Sequence, residues 1–539
     1  FKNVGEFAQS QLNLWIDLQD PNTNENSLSL SSQLFNNETG SLSILAQVCC
    51  GIVYASDLAM KDNFDLATDV ITSAHNIYIS ENIKSRNIDK RFARIMRQLA
   101  LDYYFANVSD GNISQSHREE CFFLANGAID LLPESESYTA KGWLEYLNEN
   151  YSEAELLLGE AINLDESNVV AHYHLGNTRR RKGNYDEAIA TYQQAITIDK
   201  EFLLSYLGLG RTYYLVADTT KALSVLRESI EIDPEFYPAY QGLANIYDSE
   251  GDKEKVVNIL QDFFDKFPDK LSFVYFDLLN AYLRADNVHG IKGLSDKALT
   301  YKSDFAPAHV GYALVNGFDG NKEAAIFAAQ KAIDLDPDMP AGHIVLGNIY
   351  LQYETYHLAI QTYTRAILSE MQPALAYFRR SKAYFKTHKL DSSIEDVKSA
   401  LEKAPHNIEY LARYAHLLCF TQHYDEAITI INQARKLEPE NNGLILREAS
   451  MKAYNGDFSS LSTLEELVQV NSDQTLQNVY ALILSFAGQY AKARDLLRKL
   501  DQSRLAIFYN YTIASLILSV DPERKHIARD ALSSIINNL

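Results

Sequence analysis

A 34-residue period runs through this chain and limits what it can fold into. Gly142, Gly176, Gly210 and Ala244 recur at that interval. So do Ala154, Ala188 and Ala222, and likewise Ala161, Ala195 and Ser229. After a one-residue slip the phase resumes at Ala298, Ala332, Ala366, Ala400 and Ala434. Self-similarity at an interval of about 20–50 residues is the mark of a solenoid, in which each unit buries its apolar face against its neighbours. The 539 residues therefore need not form separate globular cores, although length alone would suggest about three or four.

The stretch 169–202 shows the unit most clearly: helix, tight turn, helix. Glycine or alanine in the first helix (Gly176, Gly210, Ala244, Gly347) lets the second helix approach closely. Alanines in the second helix (Ala188, Ala195, Ala359, Ala366) do the same from the other side. Large residues such as Tyr213, Tyr247, Tyr350 and Leu226 fill the remaining space. Gly183, Gly251, Gly320, Gly456 and Gly488 fall where the first helix must stop, which predicts left-handed caps. Pro234, Pro268, Pro337, Pro405 and Pro439 end second helices. The rhythm departs from this pattern in two places. Near 272–305, Ile291 and Ser295 replace the usual small and bulky residues, and near 443–473 Leu461 and Val468 stand where alanines are expected.

These residues, above all LGN-x5-GNYDEAI-x3-QQAI-x2-D at 175–199, resemble the tetratricopeptide repeat (TPR) family. The resemblance implies an all-α, right-handed superhelix of about a dozen helix-turn-helix repeats. The array is expected over 135–505, after divergent TPR-like repeats over 41–134 and an irregular lead-in over 1–40. Capping helices are expected over 506–539.

No catalytic pattern along the chain has the right context. There is no GxxxxGK[ST], HExxH or GxSxG, and no cofactor is expected. His172 and His174 project roughly 200° apart on one helix, so they are read as structural. Cys49, Cys50, Cys121 and Cys419 have neither CxxC nor zinc spacing; this fits a reducing compartment, and a cytoplasmic location is the expectation. No run reaches the ~20 apolar residues that span a bilayer, so no membrane insertion is expected. A net charge of -22 opposes nonspecific binding to nucleic acid.

Function is therefore expected on surfaces. In the resembled family the first helices line a concave groove. Carried onto this chain, that groove presents Tyr173, Asn177, Arg180, Arg181 and Arg211 toward the front. Apolar Phe273, Phe276, Val310, Leu314, Ile344 and Leu351 follow in the middle, with Asn348. Further on come Phe378, Arg379, Lys382, Lys386, Arg413, His416 and Arg447. Basic residues in the groove of an acidic protein suggest an acidic or amphipathic partner segment. The family's clamp for chaperone C-termini is not matched: its frames read Tyr173, Asn177, Gly208, Pro238, Gly242 and Ile344, Asn348, Arg379, Glu409, Arg413.

The leading expectation is a non-enzymatic scaffold or adaptor in a multiprotein assembly. One alternative is the substrate-recruiting arm of an enzyme, of the glycosyltransferase type, whose catalytic part lies outside this chain. The other is a self-assembling structural protein, with homo-oligomers formed through an exposed apolar edge at Phe263, Phe264 and Phe267.

Overall fold

A computed structural model describes residues 44–59, 61–80, 86–108, 113–368, 373–470, 474–489, 492 and 496. The lead-in over 1–40 and the capping pair over 506–539 lie outside the described residues, as do the side chains of Cys49 and Cys50. Among the described residues every regular element is helical: 25 α-helices and a 3-10 turn at Pro268–Lys270, with no strand. The all-α architecture read from the period is the one adopted.

The chain divides into two units, 1–285 and 286–539. The first holds α1 (Ile44–Ala59), α2 (Phe64–Ser80), α3 (Arg86–Asn107), α4 (Gln115–Leu131), α5 (Ser135–Leu147), α6 (Tyr151–Leu164), α7 (Val169–Arg181), α8 (Tyr185–Ile198), α9 (Leu203–Leu215), α10 (Thr219–Ile232), α11 (Tyr237–Ser249), α12 (Lys253–Lys266) and α13 (Leu271–Arg284). The second holds α14 (Val288–Tyr301), α15 (Ala306–Phe318), α16 (Lys322–Leu335), α17 (Pro340–Gln352), α18 (Tyr356–Leu368), α19 (Pro373–Lys386), α20 (Leu390–Lys403), α21 (Ile408–Phe420), α22 (Tyr424–Leu437), α23 (Asn442–Tyr454), α24 (Leu461–Val470) and α25 (Gln474–Phe486). Odd-numbered helices are the first of a hairpin. Within each unit a helix packs against its hairpin partner and against the next helix in sequence. The division falls between α13 and α14, inside the atypical stretch at 272–305.

The packing grammar has a steric cause. A Cβ placed on Gly176 would lie 2.7 Å from the ring of Tyr192, and the same ring lies against Gly208 of the following first helix. Tyr192 is fully buried between them. In the second unit Gly347 holds the same relation to buried Tyr363, at 2.5 Å. Gly142 against Leu158 and Gly210 against Leu226 repeat it with a leucine, at 2.8 and 2.9 Å. A side chain at these glycines would force the helix axes apart.

Among the described residues, the first helices other than α3 each end in a left-handed residue. Gly183 has φ 84°, its N–H donates to the Arg180 carbonyl at 3.1 Å, and Asn184 N–H donates to the Arg179 carbonyl at 2.9 Å. That is the Schellman arrangement, which satisfies carbonyls the helix leaves open. All five glycines expected there have positive φ. The same place in other repeats is taken by Glu149, Ala217, Glu354, His388 and Gln422, each also at positive φ. The prolines follow the last residue of α10, α12, α16, α20 and α22 by two positions. One turn further on, buried His172 bonds through Nε2 to the Glu166 carbonyl at 3.1 Å, and His343 to the Pro337 carbonyl at 3.0 Å. His172 is thus a tie between helix and preceding turn, in keeping with its structural reading.

Of the apolar edge expected at Phe263, Phe264 and Phe267, Phe267 is half-buried against Phe263 at 5.2 Å, and Phe263 and Phe264 offer no exposed edge. Both rings are 0% exposed, packed under α11, where Phe263 meets Tyr237 and Tyr240 at 4.8 and 4.9 Å. An all-helical period hides two consecutive aromatics when the helix is clasped on two sides, and this one is.

Candidate protein-binding face

The first-helix face of the first unit is polar and internally paired. Its α9, α11 and α13 line a cleft of about 250 Å³ that includes Arg211, Gln241, Asn245, Asp248, Asp277 and Arg284. Arg284 pairs with Asp248, while Asp277 accepts from Tyr237 Oη at 2.5 Å and from Gln241 Nε2 at 2.7 Å. Burial and the Asp277 carboxylate together push the Tyr237 phenol far up, so it remains a donor. Arg211 lies in this cleft, as its place in a first helix predicted. Asp248, Asp277 and Arg284 were missed, although their position on the same helices was available as a signal.

The other forward residues have mixed surroundings. Tyr173 packs edge-on to Phe202 at 5.6 Å, and Asn177 accepts from Tyr192 Oη at 2.8 Å, so each is tied into the repeat. Asn348 does the same for Tyr363 in the second unit, at 2.8 Å. Arg180 is partly buried with its Nε–H unpartnered, and exposed Arg181 reaches Tyr146 Oη at 3.4 Å. Phe276 and Leu314 are half-buried, and Phe273 is 65% exposed. Val310 and Ile344 are 2% and 6% exposed. These two are core residues and present no groove surface, a correction to the continuous apolar stretch expected there: their side chains sit on the inner side of the helix.

The second unit's first-helix face is different. Arg379 on α19, Arg413 on α21 and Arg447 on α23 stand one repeat apart, at the 34-residue interval. Beside them stand Lys382 and His416, with Arg413 Nη1 at 3.5 Å from His416 Nδ1. Aromatic rings lie beneath: Lys382 Nζ is 4.3 Å from the centre of the Phe378 ring, and Arg413 is 4.6 Å from that of Phe385. Phe378 itself is 1% exposed, so it supports cations and does not offer itself to a ligand, contrary to its expected place in the groove. Lys386 is exposed one turn beyond.

Among the described residues no carboxylate pairs with Arg379, Arg413 or Arg447, and the Nε–H groups of Arg379 and Arg413 are buried without a partner. Glu409, 3.3 Å from Lys382 Nζ, is the acid at this face, and its side chain is 64% exposed. The electrostatic effect is large. Burial and the Arg447 charge pull Arg413 down to about 10. Burial, Arg413 and Arg447 pull His416 down to about 3, and burial with Arg379 and Arg413 lowers Lys382.

Neighbouring cations are neutralised by contrast. Arg380, the residue after Arg379, grips Asp396 of α20 with two bonds of 2.8 and 2.6 Å and Thr364 of α18 at 2.9 Å. Glu448 of α23 takes both Arg435 and Lys452. The fold has paired the charges that face second helices and left the ladder on the first helices unpaired.

Reaction chemistry finds no support at these places. Burial pushes the Cys121 thiol up to about 12 and Cys419 up to about 11, so neither is a thiolate nucleophile at neutral pH. Among the described residues no three His, Cys, Asp or Glu side chains are grouped to hold a metal ion, and no helix is long and apolar enough to cross a membrane.

Residues 176–216 match the family model described as TPR repeat, and residues 204–236 and 306–339 match the model described as tetratricopeptide repeat. No curated protein sequence matches the chain. Similar solved structures include YrrB, a TPR protein with an unusual peptide-binding site, at 18% identity over 34% of this chain and 94% of that one, TM-score 0.28. The APC/C hetero-tetramer Cut9–Hcn1 is similar at 17% identity over 87% and 98%, TM-score 0.36. A tetratricopeptide repeat protein from Parabacteroides merdae is similar at 16% identity over 52% and 97%, TM-score 0.33. Residues 176–236 and 306–339 thus carry tetratricopeptide repeats, and the same paired helices with small-against-large packing recur through the described residues.

Proposed function

We propose that this protein is a non-enzymatic scaffold that holds a segment of a partner protein against its first helices, as a subunit or adaptor of a larger assembly. The observation that carries the reading is the set of cations on α19, α21 and α23 that lack carboxylate partners among the described residues, in a chain of net charge -22. A protein so acidic has carboxylates to spare, and on the second-helix side it uses them. On the first-helix side the counter-charge is left to a partner. The paired polar cleft of α9, α11 and α13 offers a second, weaker contact region, since its charges must be separated before they bind anything else.

The test is affinity capture with the full chain and with a variant carrying Arg379→Glu, Lys382→Glu and Arg413→Glu. Stoichiometric partners held by the wild type, weakened by salt and lost from the variant are expected. Identical capture by both proteins, with no salt dependence, removes this reading of the face. A chain from which no protein co-purifies under any condition removes the scaffold itself.

A further inference from the structure

The ladder also carries information about the shape of what it binds. Arg379, Arg413 and Arg447 hold the same position in three successive first helices; α19 meets α21 through side chains, with Phe378 against Tyr410 at 4.7 Å and Lys382 Nζ 3.3 Å from Glu409, and α21 in turn touches α23. Packed helix axes lie about 8–10 Å apart, which sets the step of the ladder. In an extended chain of the polyproline II type, residues three apart share a face and lie about 9 Å apart, so three residues span one step. A helical ligand would need about six residues for the same step, at about 1.5 Å each. Helix-in-groove recognition further requires apolar anchors at the surface. Here the candidate anchors, Phe378 and Phe385, are 1% and 8% exposed and lie beneath the cations.

We infer that this face takes an extended acidic peptide whose carboxylates recur at every third residue, one against each of Arg379, Arg413 and Arg447. The inference rests on the scaffold reading and gives it a ligand class and a register. Three physical points support it. Arginine offers paired N–H donors to a carboxylate, and two of the three have N–H groups that no protein atom satisfies. The buried rings beneath Arg379 and Arg413, at 5.9 and 4.6 Å, hold those two guanidiniums in place before binding, so little of their side-chain freedom remains to be lost. A single-stranded nucleic acid would want exposed aromatic rings for its bases to stack on, and these rings are covered.

Glu409 gives the inference an internal control. It is the carboxylate already at the face, engaged with Lys382 at 3.3 Å, and it competes with an entering acidic chain. Neutralising it removes the competitor, whose charge also acts on Arg447, and leaves all three arginines in place.

The experiment uses the full chain and three fluorescent probes: a Gly/Ser peptide with Glu at every third residue, a peptide of the same composition with its Glu residues consecutive, and a single-stranded oligothymidylate. Wild type is expected to bind the spaced peptide about tenfold or more tighter than the consecutive one, with affinity falling as salt rises. Arg413→Gln should weaken the spaced peptide about tenfold or more, and Glu409→Gln should tighten it several-fold, on the order of what one unscreened charge contributes. Thermal melts establish that each variant is folded, and Glu409→Gln stands on an exposed residue, so a misfolded arginine variant leaves the question answerable. Equal affinity for the two peptides, no gain in Glu409→Gln, or displacement of peptide by the oligonucleotide overturns the inference. Captured partners that ignore the ladder would then leave the scaffold reading standing through another face. Peptide binding in register with no captured partner would do the reverse.

Discussion

Arg284 and Arg413 both project from first helices, on the same kind of packing, and meet opposite fates. In the first unit Arg284 reaches Asp248, and Asp277 is bonded by Tyr237 and Gln241. In the second unit Arg413 has Arg447, Lys382 and His416 for neighbours, and Glu409 is engaged by Lys382. Beneath both, the same device holds the helices together: a large side chain, Tyr192 or Tyr363, against glycine. The repeat fixes the buried positions by volume and leaves the exposed ones free. One scaffold therefore carries a neutral face in one unit and a cationic face in the other.

If the packing is shared and the charge is not, substitutions should separate the two. The largest effect is expected from Tyr192→Ala and Tyr363→Ala, each removing a fully buried ring. Both should destabilise their own unit by about 3–5 kcal/mol, read from urea unfolding. Similar losses sharpen the claim of common packing, and a loss in only one breaks it.

Acid should act next. Burial holds His174, stacked on Trp143 at 4.5 Å, down to about 4. Its folded value is depressed below the unfolded 6.5, so its stability contribution is complete above pH 6.5 and is lost as pH falls toward 4. The loss should amount to roughly 3 kcal/mol, and urea midpoints of His174→Gln should show a shallower dependence over that window. His416 should behave in the same sense in the second unit, with its loss continuing to about 3.

Removing a cation should then have opposite signs in the two units. Arg413→Met deletes an unpaired, partly buried charge and should stabilise the protein by about 1–2 kcal/mol while abolishing acidic-peptide binding. Arg284→Met breaks an exposed pair, with side chains 56% and 39% exposed, and should cost less than about 1 kcal/mol. Destabilisation by Arg413→Met would mean the ladder is structural. The smallest effect comes from the turns. Ala217→Gly and Glu354→Gly place glycine where φ is 61° and 57°, and each should raise stability by about 1 kcal/mol, with no change in binding.

Much of the fold was legible because its causes repeat. Gly176, Gly347 and the second-helix alanines announce a close approach that any unit must solve in the same way. Gly183 and Pro234 mark turns whose geometry is local. Even the less obvious turns, at Ala217 or His388, were reachable from the interval alone. The candidate site was legible only as a set of first-helix positions. Arg211 and the basic residues from 379 to 447 were found that way, but Phe378, Val310 and Ile344 were given to the surface and are buried. A first helix touches its own partner and both neighbours, so only a narrow strip of it reaches solvent, and the period does not locate that strip to within one residue.

By itself the sequence determined the repeating hairpin, the size rule at its contacts and the places where the chain turns. Each depends on volume or backbone geometry at a fixed spacing. The tertiary structure decided which charges are spent within the fold. Arg379 and Arg380 are consecutive, yet Arg380 is bound to Asp396 on the next helix and Arg379 has no carboxylate partner among the described residues. Adjacent helical residues point about 100° apart, so which of two neighbours meets an acid depends on the helix that packs beside them.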